Sequence, residues 1–179
     1  MKRFLPTLFL MFSVLLASAA ARAEASLSFC INEICSDNGG HYSVASAAPD
    51  YIELRNLTGQ PVSLDGFYIS DDQDHLNKYS LNGYTIPENG YLILAADKKE
   101  LPFKLSASDG EELFLSDSEK KIRQQVNLPP LEKDTTYSLQ ESGEWHIAEP
   151  TPMAENAEGT PYVKKVYVAS PRFSHEAGF

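Results

Sequence analysis

The chain lacks helical patterning: apolar residues almost never recur with a 3.6-residue period, so its fold class must be sought among β architectures. Cysteine is scarce. Cys30 and Cys35 are the only two, and no second Cys or His pair accompanies them, which makes C-x4-C a poor zinc site. If residues 30–35 are extended, the two Cα atoms lie about 16 Å apart, whereas a disulfide tolerates only about 7 Å. Their odd spacing places them on opposite faces of one strand, and they are expected not to be bonded to each other. No G-x-S-x-G and no Gly-rich phosphate loop occurs, and His41, His75, His146 and His175 lack the spacing of a metal-binding helix. Positive charge is also in short supply. With 15 basic and 25 acidic residues the formal net charge is −10, a surface that repels phosphate backbones and argues against a nucleic-acid partner.

What is present begins with a short basic start, Lys2 and Arg3, and an apolar stretch from Phe4 to Ala20. Ala21-Arg22-Ala23 follows with the small residues of a signal-peptidase site, so residues 1–23 are expected to be a cleaved secretory signal peptide rather than a membrane anchor. No later segment is apolar enough to span a bilayer, which points to a secreted or cell-surface product. Cleavage removes Lys2, Arg3 and Arg22 and no acid, leaving 12 basic against 25 acidic side chains, a net −13. Cations, basic patches and neutral glycans remain possible partners, although acidity alone also serves solubility.

The remainder reads as short strands between turns. Leu27 to Ile31 alternates, with a bulge or bend plausible at Asn32-Glu33. Tyr51 to Asn56 alternates cleanly, and Val62, Leu64, Phe67 and Ile69 bracket an Asp65-Gly66 turn. Tyr79 and Leu81 lead through Asn82-Gly83, a hairpin dipeptide, to Tyr84 and Ile86. Tyr91 to Ala96 is a continuous apolar run, and residues 112–115 and 121–126 flank a turn at 117–120. Thr135 to Leu139 and Trp145 to Ile147 close the series, and Asp97 to Leu101 is the one candidate helical turn. Such a succession implies a β-sandwich or barrel. Its expected core is Leu27, Phe29, Ile31, Ile52, Leu54, Phe67, Ile69, Leu92, Leu94, Leu113, Leu115 and Trp145. Residues 150–161, rich in proline and small polar residues, read as a linker leaving the domain, and 162–168 as a strand without a partner.

Several of these segments together resemble the lamin-tail domain: Ile31-Asn32-Glu33-Ile34, Asp50 to Asn56, Leu64 to Asp71, Gly90 to Leu94, Phe103 to Ser106 and Asp109 to Asp117. Trp145, Pro150-Thr151-Pro152 and Asn156 are similar to that family's closing motif. The resemblance covers about residues 26–156. It implies an immunoglobulin-like β-sandwich without catalytic residues, of the bacterial exported branch rather than the nuclear lamins. The run from Val163 to Phe179 is similar to the first strand of a chitobiase/hexosaminidase carboxy-terminal-type β-domain, which in bacterial proteins often precedes a CotH-type kinase domain. The resulting organisation is signal peptide 1–23, lamin-tail-like sandwich 24–156, and 157–179 as linker plus the first strand of a truncated second β-domain.

For chemistry, Ser70-Asp71-Asp72-Gln73-Asp74-His75 places Asp71, Asp72 and Asp74 close enough to offer oxygen ligands to Ca2+. It lacks the glycine and distant glutamate of an EF-hand, and Asp is also a good turn former, so a solvated loop without tightly held metal is expected. Glu33 and Glu53 can be imagined as an acid/base pair for glycan hydrolysis, but ordinary surface charge on the outer face of strands is the expectation. Asn32 with Glu33 reads as a structural polar pair bonding backbone amides at a sandwich edge. Tyr51, Tyr68, Tyr79 and Tyr91 are candidates for a sugar-stacking platform, of which half or more should instead pack in the sandwich. Trp145 is expected to plug the core. No catalytic residue and no cofactor is expected in this chain. The function expected is a binding or spacer module whose partner is a protein or cell-surface polymer. The alternative is an accessory region of an enzyme, such as an exported CotH-type kinase, whose catalytic part lies beyond Phe179.

Overall fold

The computed structural model describes residues 27–164. The expected signal peptide and residues 165–179 lie outside them.

Among the described residues twelve strands form three antiparallel groups. The larger sheet, in the order β12-β11-β10-β1-β2-β7, comprises Thr160–Pro161, Trp145–Ala148, Thr136–Leu139, Phe29–Cys35, Tyr51–Asn56 and Tyr91–Ala95. A four-stranded sheet runs β5-β4-β8-β9, from Tyr79–Ser80 and Phe67–Ser70 to Glu111–Asp117 and Ile122–Leu128. Val62–Ser63 (β3) and Thr85–Ile86 (β6) pair separately as a corner. Among the described residues, helix is limited to one 3-10 turn at Gln73–His75. The two larger sheets enclose one apolar core, giving the sandwich rather than a closed barrel, and the architecture is immunoglobulin-like.

The core follows strand alternation. Phe29, Ile31, Ile52, Leu54, Ile69, Leu94, Leu113 and Leu115 are fully buried, with Leu27, Phe67, Leu92 and Trp145 packed against them. Burying each Leu or Ile is worth about 1.5–3 kcal/mol, so this set supplies the main driving force for folding. Where the sheets meet, the side-chain amide of Gln124 (β9) takes the place of a backbone partner for Ile31 (β1). Its Oε1 accepts from Ile31 N at 2.7 Å and its Nε2 donates to Ile31 O at 3.1 Å.

The chain differs from its sequence reading at two turns. Asn82-Gly83 does make a turn, with Gly83 at φ +85°, but β5 and β6 on either side of it pair with β4 and β3, so it is a corner and not a hairpin. The cause is a reciprocal lock between loops: Gly66 N donates to Asn82 Oδ1 at 2.7 Å and Gly83 N to Asp65 Oδ1 at 2.8 Å. Residues 97–101 are bends rather than helix, because Asp97 Oδ1 accepts from both Lys99 N and Glu100 N and closes a local turn there. The β8–β9 hairpin forms as the pattern implied, through a turn in which Asp117 Oδ1 accepts from Glu119 N and Lys121 N.

Residues 150–161 do not leave the sandwich. β12 pairs with β11, His146 opposite Pro161 and Ile147 opposite Thr160, and the preceding residues run back over the outer face of the larger sheet as a strap. Their backbone donors need acceptors, and β1 and β2 provide them.

Candidate functional site

The outer face of β1 and β2 is where the polar chemistry collects. β2 presents Ile52 and Leu54 to the core, so Tyr51, Glu53 and Arg55 face outward. In β1 the register slips between Ile31 and Glu33, which inserts a bulge. Phe29, Ile31 and Ile34 all reach the core because of it, and Cys30, Glu33 and Cys35 sit opposite Arg55, Glu53 and Tyr51. The extra residue reverses the parity of everything beyond it. Cys30 and Cys35 therefore share the outer face, correcting the expectation of opposite faces, while both remain free and buried. Burial pushes the Cys30 thiol up to about 11 and Cys35 up to about 12, so neither is a reactive thiolate.

Glu33 and Glu53 are not surface charges. Both have 0% exposure, sealed between their sheet and the strap. Glu33 accepts from the Tyr51 hydroxyl, from Thr151 N at 3.2 and 3.1 Å, and from Thr151 Oγ1 at 2.7 Å. Glu53 accepts from Asn32 Nδ2 at 2.9 Å and from Met153 N at 2.6 Å. Asn32 and Asn156 bond reciprocally, Asn32 Nδ2 to Asn156 Oδ1 at 2.9 Å and Asn156 Nδ2 to Asn32 Oδ1 at 3.2 Å. Asn156 also reaches Leu139 O at 2.8 Å. Asn32-Glu33 is thus a structural pair, but it lies at the centre of the sheet and holds a distant segment.

Desolvation by burial dominates the electrostatics and raises Glu53 to about 7, against hydrogen bonds from Met153 and Asn32 that favour its charged form. Burial, then the adjacent Glu33, drives the Tyr51 phenol far above its ordinary range. Two carboxylates directly across a strand pair are a familiar arrangement for acid/base work, yet here their oxygens are occupied by the strap together with Asn32 and Tyr51. What the arrangement does is clamp residues 151–156 to β1 and β2.

The acidic loop is built differently. Asp72 caps the 3-10 turn, accepting from Asp74 N at 2.9 Å and bonding His75 Nδ1 at 2.8 Å, and Asp71 pairs with Lys78. Asp74 is exposed and Asp71 and Asp72 are half-buried. The Asp71 and Asp72 carboxylates are therefore engaged separately, and no group of three or more His, Cys, Asp or Glu residues is placed to hold a metal among the described residues. His41, His75 and His146 lie near different acids, Asp134, Asp72 and Glu144, and do not converge. Of the tyrosines, Tyr51 is fully buried and Tyr68, Tyr79 and Tyr91 half-buried, with Arg55 over the Tyr91 ring at 5.8 Å, so no flat platform results. Trp145 stacks on Tyr137 at 5.2 Å, half-buried at the margin of the core.

Two open concavities stand out among the described residues. One, of about 240 Å3, lies on the outer face between Arg55 and the β10–β11 turn. The other, of about 660 Å3, is lined by Pro130, Leu131, Ile147, Tyr162 and Val163 among others.

The sequence reading missed Tyr51 and the Thr151 and Met153 amides as partners of the glutamates. The one signal for them was Pro150-Thr151-Pro152 with Asn156, whose motif character competed with its linker-like composition. Comparison with curated proteins and with solved structures yields no match. A family model described as Lamin Tail Domain matches residues 22–148, most of the chain and every strand up to β11. The matched stretch includes the bulged β1 and the Glu53-bearing β2, and the chain belongs to the lamin-tail-domain family.

Proposed function

We propose that this chain is a non-catalytic binding or spacer module of an exported bacterial protein, displayed at or released from the cell surface. The observation that carries the reading is the fate of the candidate acid/base pair: Glu33 and Glu53 have 0% exposure and hold the strap, so their role is to hold structure. Membership of a generally non-catalytic family supports it, as does the basic, apolar and A-x-A sequence of residues 1–23. The finer possibility, that the module accompanies a catalytic domain of CotH-kinase type, rests on the pattern from Val163 to Phe179 alone.

Expression with its own first residues in a bacterial host should deliver a chain starting at Glu24 to the cell exterior, read by amino-terminal sequencing. Retention inside the cell with residues 1–23 intact overturns the export reading. The mature chain, titrated against purified envelope proteins and wall polymer, should be retained without altering them. Turnover of any such polymer, abolished by Glu33→Gln, overturns the non-catalytic reading.

A further inference from the structure

We propose that the small concavity beside Arg55 is a recognition subsite for a single carboxylate on an extended segment of a partner protein. The proposal deepens the binding-module reading and rests on it. The walls are Cys30, Asn32, Leu57, Leu139, Gln140 and Glu141, with Gly143 and Arg55 completing them, around about 240 Å3. That is room for one side chain or chain terminus. Arg55 is the key. Of the two described arginines, Arg123 pairs with Asp117 at 3.3 Å, whereas the Arg55 guanidinium has no hydrogen bond or ion pair among the described residues. Its neighbour on the same strand face, Glu53, has turned both oxygens to Asn32 and Met153.

A half-buried guanidinium, steadied over the Tyr91 ring at 5.8 Å, presents a planar fork of donors without an acceptor. That fork matches a carboxylate geometrically. The pocket's other polar groups are largely committed. Asn32 is engaged by Glu53 and Asn156, and Gln140 Nε2 donates to Ser138 Oγ at 3.0 Å and Ala157 O at 3.3 Å, leaving Gln140 Oε1 to accept a peptide N–H. Leu57, 55% exposed at the rim, offers apolar contact to a flanking side chain. Charge decides between a protein segment and an acidic polymer. A chain with net charge −10 repels a polyanion as a whole but tolerates one carboxylate flanked by neutral or basic residues.

The test uses the mature chain with 15N-labelled arginine and three blocked, otherwise neutral pentapeptide probes: one with an internal glutamate, one with glutamine there, and one ending in a free carboxylate. Either carboxylate probe, but not the glutamine probe, should shift the Arg55 Nε–H resonance saturably, and the two identify whether a side chain or a terminus is preferred. Arg55→Gln should weaken binding at least roughly tenfold, the loss expected for a charge-assisted hydrogen bond. Glu141→Gln, on an exposed turn where folding is not at stake, should tighten it by removing a like charge. Silence from both carboxylate probes, or a response indifferent to Arg55→Gln and Glu141→Gln, overturns the subsite but leaves a module that binds elsewhere. An oligouronate that binds more tightly than the peptides overturns the protein-segment assignment.

Discussion

The molecule has two concentrations of acid, and they obey opposite rules. At Asp71 to His75 the carboxylates stand at or near the surface, and those of Asp71 and Asp72 answer local donors within seven residues. At Glu33 and Glu53 two carboxylates are sealed away and answer donors 100 and 118 residues distant. The loop shows how a turn is capped, while the buried pair shows how a β-sheet whose outer face should be wet is turned into a second, polar interior. An ion in the loop retains its water and its interactions are screened. In the interior every missing partner is felt.

The largest expected effect breaks the comparison on its buried side. Glu33→Ala leaves the Tyr51 hydroxyl and the Thr151 amide and hydroxyl without their acceptor. With each buried donor left unsatisfied costing about 1–3 kcal/mol, the total should reach about 3–5 kcal/mol in urea unfolding. A loss below 1 kcal/mol would show the strap to be loosely held.

Proton linkage comes next. Glu53 rises from 4.5 unfolded to about 7 folded, so between those values the native state binds more protons. Its contribution is fully present below the unfolded value and is lost as pH rises through about 7, with a ceiling of about 3 kcal/mol. Urea midpoints measured from pH 5 to 8 should therefore fall with rising pH, and Glu53→Gln should flatten that dependence. A profile that rises across this window in the wild type contradicts the buried, proton-retaining carboxyl.

The smallest effects belong to the loop. Asp72→Ala, which removes only the cap of a surface turn, should cost about 1 kcal/mol or less in urea unfolding, and calorimetric titration with Ca2+ should give a dissociation constant weaker than about 10 μM. Tighter binding would make the loop, and not the outer face, the place to look for a ligand.

The alternation of Ile52 and Leu54, or of Leu113 and Leu115, was readable because each reports burial against one neighbouring layer, a local property of a strand. The β8–β9 turn was readable for the same reason. The bulge at Asn32 was visible as a break in pattern, but its consequence for Cys35 depends on register with β2, which no local signal states. Residues 150–161 misled because proline and small polar residues look the same whether a segment departs or lies across a sheet. What distinguishes the cases is a pair of glutamates 100 and 118 positions away, one end of a contact whose other end is a backbone amide carrying no sequence identity at all. The Asn82-Gly83 corner needed the Asp65-Gly66 loop as its partner in the same way.

The strap also has a mechanical meaning. The described chain enters through β1 and leaves after β12, so tension between these two points need not traverse the sandwich in sequence order. It passes from β1 through Glu33 to Thr151 and from Asn32 to Asn156, a route only a few bonds long. The strands between β1 and the strap hang from this shunt as a side loop under little load. Pulled from the two ends of its described residues, the sandwich should behave as a short stiff link for as long as those contacts survive, and should extend abruptly once they part.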